Sequence, residues 1–423
     1  MKPSLENAVV CIVGLGYVGL PLARAFARVL QVIGFDTNNE LVEQLNDSEL
    51  DKVSKVTFTS DPHEIKKADF VIICVPTPVT ETKEPDLSFI KNAARTIGQN
   101  IKKGSVVILE STVYPGVTEE VMKGILERES GFICGDHFKI GYSPERINPG
   151  DEEHNLDRIT KVVAGMDSET TELIANLYKI VAKDVFKARD IRTAEAAKVI
   201  ENIQRDLNIA LMNELAIIFD KMELSTHDIL EAAATKWNFH SYSPGLVGGH
   251  CIPVDPYYLA YTAKRLGHRP QVILAGREIN DSMPKYVANT TIKALFDVGK
   301  VLRNSKVLIM GLTYKENVAD TRETPAKGII KELEDHGVDV YGYDPYLLKT
   351  DSRKNFNIEF IDSLENLELT FDAIVVTVAH KAFYKLKLND LAKMQNTKPV
   401  LVDVRRIFDG EEARQAGFTY RTL

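Results

Sequence analysis

The chain has 423 residues, of which 44% are hydrophobic, and this is enough for two or three globular domains with apolar cores. Its net charge of -8 comes from 60 acidic and 52 basic residues spread along the chain, a distribution that excludes the basic surface of a nucleic-acid-binding protein. The four cysteines lack C-x-x-C spacing, which argues against a metal site or a disulfide framework and favours a reducing compartment, the cytoplasm.

The first third of the chain alternates strands with helices. An apolar run from Ala8 to Val13 precedes a glycine-rich turn and a helix, and the next strand ends at Asp36. Later strands at 70–75 and 106–110 each end in a loop. We therefore expect an α/β domain in residues 1–192 with a doubly wound parallel sheet, which binds ligands beyond the carboxyl ends of its strands. Its apolar segments are too short to span a bilayer, and we expect neither a membrane contact nor a secretory signal.

The middle of the chain is helical by composition. The segment from Thr193 to Met222 lacks glycine and proline, consists of good helix formers, and has Thr193 as a possible N-cap. Helical character continues to about Leu295. This predicts a helical middle domain in residues 193–300, organised on one long central helix.

The last third repeats the first in a degenerate form. Strand patterns return after residue 303, and I-M-G-L-T with Asp344 downstream matches I-V-G-L-G with Asp36 downstream. After Gly311, however, Tyr314 and its neighbours stand where the first copy has glycines. Residues 301–423 should therefore form a second Rossmann-like, doubly wound domain that binds something other than a dinucleotide.

The glycine-rich turn carries a nucleotide signature. Gly14, Gly16 and Gly19 form G-x-G-x-x-G between a strand and a helix, where backbone amides and the helix dipole attract phosphate. Asp36 is placed to accept hydrogen bonds from a ribose and to repel a 2′-phosphate, which favours NAD over NADP. The alternative is a glycine turn that only packs. Two threonines in later strand-end loops are either cofactor neighbours or ordinary loop hydroxyls: Thr77 and Thr112.

Three polar residues share one face of the predicted long helix. Lys198, Asn202 and Arg205 follow one another at i, i+4 and i+7. They form either a solvated stripe or one edge of a cleft. An adjacent apolar stripe, which includes Val199 and Ile203, borders them and favours the cleft, where a lysine can act as a proton shuttle.

One cysteine stands apart from the others. Gly248 and Gly249, which have no side chains, come shortly before Cys251 in a loop rich in glycine and proline, so a ligand has room to approach the thiol. Cys11 and Cys74 lie inside predicted strands and are expected to be small core residues. The histidine between Gly249 and Cys251 is either a general base or a structural or exposed residue.

Taken in order, these segments resemble the UDP-glucose/GDP-mannose 6-dehydrogenase family over essentially the whole chain. The motifs that carry the resemblance are G-L-G-Y-V-G-L-P, V-P-T-P, S-T-V-Y-P-G, S-P-E-R-I-N-P-G, A-A-K-V-I-E-N-I-Q-R-D-L-N-I-A, P-G-L-V-G-G-H-C-I-P-V-D-P-Y-Y and G-L-T-Y-K-E-N-V-A-D-T-R. The cysteine motif following K-W-N-F is similar to the branch that acts on UDP-N-acetylhexosamines for surface polysaccharides. One departure is the K-W-N-F-H-S-Y-S stretch, where many members carry an arginine.

The resemblance implies a four-electron oxidation of a C6 alcohol to a carboxylate, with two NAD per UDP-sugar. A thiolate on Cys251 would capture the intermediate aldehyde as a thiohemiacetal, which is oxidised to a thioester and then hydrolysed. Lys198 is implied as the acid/base, the oxyanion partner and the cation that favours the thiolate. Asn202 is implied to line the oxyanion. Three further residues are implied to position or activate water: Glu145, Thr112 and Asp255.

The same resemblance implies two sets of binding residues and a homodimer formed through the long helix. The residues implied for NAD are Gly14, Gly16, Tyr17, Val18, Gly19, Asp36, Thr77, Thr112 and Arg322. The residues implied for the UDP-sugar are Arg146, Ile147, Lys198, Asn202, Arg205, Asn238, Gly248, Tyr314, Lys315 and Arg405.

The sequence leaves several functions open. UDP-N-acetylglucosamine is the expected sugar, with the N-acetylgalactosamine and N-acetylmannosamine epimers, and then UDP-glucose, as alternatives. A two-electron β-hydroxyacid dehydrogenase also joins a Rossmann domain to a helix bearing lysine and asparagine four residues apart, but it leaves Cys251 and residues 304–423 without a role. A non-catalytic NAD-binding protein is the third possibility.

Overall fold

The computed structural model describes residues 5–48, 55–146, 158–348, 350–365 and 367–423. Contacts between α-carbons divide the chain into two units. The first unit consists of Met1–Asn202 and Tyr257–Arg269, and the second of Ile203–Pro256 and Pro270–Leu423. Each unit contains one sheet with helices packed on it, which confirms the predicted α/β class.

The sheet of the first unit has the strand order β3-β2-β1-β4-β5-β6-β7-β8. Neighbouring strands are parallel except for β6 and β7, which are antiparallel. Its first six positions follow the order found in dinucleotide-binding folds, with the switch point between β1 and β4. The strands are β1 Val9–Val13, β2 Gln31–Phe35, β3 Val56–Thr59, β4 Phe70–Ile73, β5 Val106–Leu109, β6 Lys139–Tyr142, β7 Thr160–Gly165 and β8 Asp184–Lys187.

The sheet of the second unit is parallel throughout and has the order β11-β10-β9-β12-β13-β14. This is the same winding as in the first six positions of the other sheet, with the switch point between β9 and β12. The strands are β9 Lys306–Met310, β10 Asp339–Tyr343, β11 Glu359–Phe360, β12 Phe371–Val376, β13 Gln395–Asp403 and β14 Thr419–Thr422.

The α-helices alternate with these strands and fill the middle of the chain. They are α1 Gly19–Ala27, α2 Asn39–Asp47, α3 Ser88–Asn100, α4 Lys123–Ser130, α5 Ser168–Tyr178, α6 Ile191–Lys221, α7 Thr226–Ala234, α8 Asp255–Arg265, α9 Gln271–Asp297, α10 Ala326–Asp335, α11 Leu388–Lys393 and α12 Gly410–Gln415. Among the described residues, none of the helices combines the length and the apolar character that crossing a membrane requires.

The cores lie between the sheets and their helices. In the first unit, Leu22 and Phe26 of α1 are fully buried with Ile12 of β1. In the second unit, Ile329 and Leu333 of α10 are buried in the same way in a core that includes β9. Because the strands are covered by helices, they read in the sequence as continuous apolar runs.

The predicted internal repeat is present at the level of single hydrogen bonds. The Gly14 N–H donates to Phe35 O and the Gly311 N–H donates to Tyr343 O, both at 2.9 Å. The two glycines have φ values of +98° and +93°, a region that residues with a Cβ rarely adopt. The turn after β1 and the turn after β9 therefore have the same backbone hydrogen bond and the same glycine conformation.

The long central helix α6 begins two residues earlier than predicted. The expected N-cap, Thr193, lies inside the helix, and its N–H donates to Asp190 Oδ1 at 2.7 Å. An aspartate side chain that accepts from the first turn stabilises a helix start as well as a threonine does, which is why local sequence alone did not separate the two. The boundaries at 192 and 300 of the predicted middle domain stay a prediction.

Candidate active site

The turn between β1 and α1 forms an open cradle at the switch point of the first sheet. A Cβ on Gly14 would lie 2.8 Å from Cys74 O, and a Cβ on Gly19 would lie 1.8 Å from Gly14 O. Among the described residues, nothing lies within 4 Å of the position that a Cβ on Gly16 would take. The outer two glycines are therefore required by packing, while the middle one leaves space for a diphosphate to approach the backbone at the start of α1.

Asp36 is bonded to this turn. Its Oδ2 accepts from the Leu15 N–H at 2.8 Å, and its Oδ1 accepts from the Asn38 N–H at 2.9 Å. Each carboxylate oxygen has two lone pairs, so both can accept further hydrogen bonds from ribose hydroxyls. Tyr17, with 54% of its surface exposed, and half-buried Val18 lie in the same turn. The structure thus brings these candidates together, and their arrangement fits a dinucleotide.

The loops that carry Thr77 and Thr112 are held side by side. They follow β4 and β5, which are neighbours in the sheet, and the Ser111 hydroxyl donates to Val75 O at 2.7 Å. Both threonines are half-buried. They therefore lie at the carboxyl edge of the sheet, where ligands of this fold bind.

A buried glutamate ties the second of these loops to α6. The Glu195 carboxylate accepts from the Gly116 N–H at 2.6 Å, from the Thr118 N–H at 3.0 Å and from the Thr118 hydroxyl at 2.6 Å. Burial raises the pKa of Glu195 to about 7 in spite of these three hydrogen bonds. Sequence reasoning missed this residue, because its partners lie 77 and 79 positions away and no local pattern marks them.

The three polar residues on α6 differ in exposure. Lys198 is buried, Asn202 is half-buried and Arg205 is exposed. A solvated stripe therefore describes Arg205 but not Lys198. The apolar neighbours Val199 and Ile203 are buried as predicted.

Glu145 lies beside a buried lysine that the sequence did not point to. Its Oε1 accepts from the Arg146 N–H at 2.7 Å, and Lys161 Nζ lies 3.8 Å from its Oε2. The same Nζ donates to Pro144 O at 2.9 Å and lies 2.9 Å from Glu110 Oε1. Lys161 and Glu110 are fully buried, so one ammonium is placed between two carboxylates.

The segment after Glu145 is only partly described. The guanidinium of Arg146 contacts Glu201 of α6 at 2.8 Å and donates to Thr160 O at 2.8 Å. Ile147, which the family resemblance implies in substrate binding, lies outside the described residues. The geometry of this part of the candidate site therefore rests on Glu145 and Arg146.

Cys251 is exposed and lies in the turn that leads into a helix. Its carbonyl accepts from the Asp255 N–H at 2.9 Å and from the Val254 N–H at 3.2 Å, so the backbone makes a turn that leads into α8. Asp255, the first residue of α8, is 2% exposed. This acid therefore lies one helical turn after the thiol.

The two glycines before Cys251 have a different role from the one predicted. They were expected to leave open space, but a Cβ on Gly248 would lie 2.6 Å from Pro325 Cδ and 3.0 Å from Tyr314 Cβ. A Cβ on Gly249, whose φ is +85°, would lie 2.6 Å from the Tyr314 ring. The missing side chains let the cysteine loop pack directly against Tyr314, so the prediction of empty space at these positions was wrong.

Asn213 of α6 anchors the start of the same loop. Its amide donates to Gly245 O at 3.0 Å and accepts from the Gly245 N–H at 2.8 Å, so the side chain pairs with this residue as a neighbouring strand would. Asn213 is fully buried and also donates to Asn280 Oδ1 at 2.8 Å. Its partners are distant in sequence, and nothing in the helix pattern singles it out.

A pocket at the carboxyl edge of the second sheet brings together three predicted UDP-sugar residues, Tyr314, Lys315 and Arg405. The guanidinium of Arg405 lies 3.2 Å from Glu316, which balances part of the positive charge. An ammonium and a guanidinium on one pocket wall suit an anionic ligand. Other residues that line the pocket are Leu246, Thr313, Thr324, Pro325, Thr377 and Val378.

The remaining candidates of the second unit are dispersed. The Arg322 guanidinium is paired with Asp320 at 2.6 Å. Asn238 is exposed in the segment after α7. Burial, and then the charge of Arg322, lowers the pKa of His250. A lower pKa favours the neutral form of this histidine at neutral pH, in which a ring nitrogen can accept a proton.

Comparison with known proteins places these features in one family. The models for the UDP-glucose/GDP-mannose dehydrogenase family match in order: the NAD binding domain at residues 8–182, the central domain at 192–282 and the UDP binding domain at 308–410. The chain is 46% identical over 417 residues to Protein CapL of Staphylococcus aureus, a match that covers 96% of this chain and 97% of the other.

Two further comparisons extend over nearly the full length. The chain is 43% identical over 420 residues to the UDP-N-acetyl-D-glucosamine 6-dehydrogenase of Pseudomonas aeruginosa, which covers 97% of this chain and 99% of that protein. Among solved structures, the UDP-D-ManNAc dehydrogenase of Pyrococcus horikoshii superimposes with a TM-score of 0.88 at 31% identity, over 98% of this chain and 99% of the other.

Proposed function

Because this chain belongs to the UDP-glucose/GDP-mannose dehydrogenase family and is an NAD-dependent oxidoreductase, we propose that it oxidises UDP-N-acetylglucosamine at C6 to the uronic acid. The observation that carries the chemistry is the exposed thiol of Cys251, one helical turn before the buried carboxyl of Asp255. The choice of sugar is supported by the higher identity to a glucosamine dehydrogenase than to the mannosamine dehydrogenase.

The residues of the first cradle hold the cofactor. Gly14 and Gly19 shape the turn, Gly16 leaves the backbone open to its diphosphate, and Asp36 accepts from a ribose while repelling a 2′-phosphate. Bound NAD would supply the hydride acceptor, with one NAD used for the alcohol and a second NAD for the thiohemiacetal. Other residues proposed to contact it are Tyr17, Val18, Thr77, Thr112 and Arg322.

The first half of the reaction needs a base beside the C6 hydroxyl. Lys198 takes the hydroxyl proton as the aldehyde forms, and its protonated form, together with the Asn202 amide, then faces the carbonyl oxygen. The buried position of Lys198 supports this role, because a buried amine interacts more strongly with a developing charge than an exposed one does.

The second half depends on the thiol. The Cys251 thiolate adds to the aldehyde carbon, and the carbonyl oxygen takes a proton from Lys198, which gives a thiohemiacetal. Loss of the second hydride, with the hydroxyl proton returning to Lys198, leaves a thioester on Cys251. Water then attacks the thioester, the carboxylate leaves, and the thiolate is restored. Glu145, Thr112 and Asp255 position this water, and a carboxylate of this group takes its proton.

The pocket of the second unit holds the UDP group. Lys315 and Arg405 pair with its phosphates, and Tyr314 packs against Gly248 at the start of the cysteine loop. A diphosphate held by two basic side chains does not need a glycine cradle, which accounts for the degenerate second repeat. Further residues proposed to line the sugar site are Arg146, Ile147, Asn202, Arg205 and Asn238.

A panel of substrates tests the choice of sugar. The purified chain is incubated with NAD and, separately, with UDP-N-acetylglucosamine, UDP-N-acetylgalactosamine, UDP-N-acetylmannosamine and UDP-glucose, and NADH formation is followed. We expect the highest kcat/KM with UDP-N-acetylglucosamine. A higher value with another of these sugars would reassign the substrate, and turnover of β-hydroxyacids in place of every UDP-sugar would support the two-electron alternative.

A further inference from the structure

His380 is a fully buried histidine that the reaction described above does not use. It follows β12 and lies behind the loop 313–317, which carries Tyr314 and Lys315. A buried imidazole needs a hydrogen-bond partner at each ring nitrogen. The partners of His380 show what it does in the fold.

The hydrogen bonds of His380 define its tautomer. The Asn317 N–H donates to Nδ1 at 2.9 Å, so Nδ1 carries a lone pair and the ring proton is on Nε2. Nε2 lies 3.1 Å from Asp344 Oδ2 and 3.2 Å from Thr313 Oγ1, and its proton is shared between these two acceptors. The imidazole therefore binds the loop at both of its ends, at Thr313 and at Asn317.

Both ends of the loop have additional bonds that fix Lys315 between them. The Thr313 hydroxyl donates to Lys315 O at 2.9 Å. Asn317 has a φ of +60°, and its Oδ1 accepts from the Tyr346 hydroxyl at 3.0 Å and from the Lys381 N–H at 2.9 Å. The loop thus bends back at Asn317 because backbone and side chain are both held there.

Asp344 connects this arrangement to the sheet. Its Oδ2 accepts from the Leu312 N–H at 2.7 Å and from the Thr313 N–H at 3.1 Å, and its Oδ1 accepts from the Tyr346 N–H at 2.9 Å. Burial would raise the pKa of Asp344, but the bonds from His380 and the backbone outweigh it and lower the pKa. Asp344 corresponds to Asp36 in the first repeat, and here it holds His380 and the start of the loop in place. We call the group of His380, Asp344 and Asn317 the clasp.

We propose that His380, as its Nε2-protonated tautomer, is a positioning residue that holds the loop 313–317 so that Lys315 is preorganised for the nucleotide diphosphate. This inference rests on the proposed function, because it takes the pocket of the second unit as the UDP site. A loop that is already in its binding conformation loses less entropy when ligand binds, so the clasp increases affinity for UDP and has no effect on affinity for NAD.

Two substitutions of His380 test the hydrogen bonds of its two ring nitrogens separately. In His380→Asn, the side-chain oxygen takes the place of Nδ1 and still accepts from the Asn317 N–H. In His380→Gln, the longer amide takes the place of Nε2 and still donates to Asp344, but the Asn317 N–H loses its acceptor. The affinity for UDP is measured by calorimetry, the affinity for NAD by fluorescence titration, and the Tm by thermal unfolding, for the full chain in each case.

We expect His380→Gln to bind UDP about 10-fold more weakly than wild type, the scale of one lost hydrogen bond, and His380→Asn to stay within about 3-fold. NAD affinity should be unchanged in both. UDP affinity that is unchanged in His380→Gln, or equally weak in both variants, would overturn the proposal. Wild type that fails to bind UDP would instead contradict the proposed function.

A second variant keeps the test valid if His380→Gln does not fold. Tyr346→Phe removes only the hydroxyl that donates to Asn317 Oδ1, at the other side of the same residue. We expect weaker UDP binding, by a smaller factor than in His380→Gln, and unchanged NAD binding. UDP binding equal to that of wild type would contradict the clasp.

Discussion

At the scale of single residues, burial separates the cysteines by role. Cys11 and Cys74 are buried, and burial raises the pKa of the Cys11 thiol to about 12 and that of Cys74 well above its usual value. A thiol in such surroundings stays protonated and unreactive. Cys251 is exposed, in a loop that is packed against Tyr314. The chemistry proposed for this chain therefore depends on Cys251 and not on the buried thiols.

Glu110, next to Glu145 and Lys161, should make stability depend on pH. Burial raises the pKa of Glu110 to about 7 against the opposing charge of Lys161. A glutamate in an unfolded chain titrates near about 4.3, so the folded protein holds this proton more tightly. The stabilisation from this group is therefore present at low pH and is lost as the pH rises from about 4.3 to about 7.

Glu110→Gln resembles the protonated acid and should remove this dependence. We expect the free energy of unfolding of the variant, relative to wild type, to increase as the pH rises through that interval and to level off above it. Denaturant unfolding across the interval measures the difference, with Glu43→Gln, at an exposed position, measured alongside as the control. A difference between Glu110→Gln and wild type that decreases with rising pH would contradict the account.

At the scale of elements, a buried ion pair joins two helices of the second unit. Arg277 of α9 is 2% exposed and lies 2.5 Å from Oδ1 of Asp206 on α6, which is 1% exposed. Asn280 donates to the same carboxylate at 2.7 Å and, like Arg277, belongs to α9. Removing one partner of such a pair leaves a buried charge without compensation.

Arg277→Met should therefore destabilise the chain by about 3–5 kcal/mol. The matched control is Lys285→Ala on the same helix, which removes an exposed pair with Glu332 and should cost less than about 1 kcal/mol. Denaturant unfolding measures both values. Equal effects of the two substitutions would show that burial of the first pair does not matter.

The elements also show how far sequence reasoning reaches. The glycine turn, the two doubly wound sheets and the turn from Cys251 to Asp255 were predictable, because each is encoded by residues close together in the chain. Glu195, Lys161 and His380 were not, since their partners lie 77, 51 and 63 positions away and only the fold brings them together. The site roles assigned to individual residues remain predictions.

At the scale of the whole molecule, the two sheets have the same strand order over six positions, and the chain leaves β1 and β9 through the same hydrogen-bonded glycine turn. The residues that follow the glycine differ between the two turns. In the first, Gly16 leaves the backbone open, and in the second, the corresponding segment is held by His380 and presents Tyr314 and Lys315. One copy therefore suits a dinucleotide and the other a nucleotide diphosphate held by side chains. In the proposed four-electron oxidation, the cysteine loop supplies the nucleophile.

The central claim is that both oxidations occur at C6 and that Cys251 links them. The most direct measurement is the number of NADH molecules formed for each UDP-N-acetylglucosamine consumed, with the acid product quantified in the same reaction. Wild type should form two NADH and one uronic acid per sugar. Cys251→Ala should bind NAD but lose acid formation by more than about 10³-fold, as enzymes lose activity without their nucleophile, while Cys134→Ala should match wild type. One NADH per sugar in wild type, or unchanged acid formation by Cys251→Ala, would contradict the account.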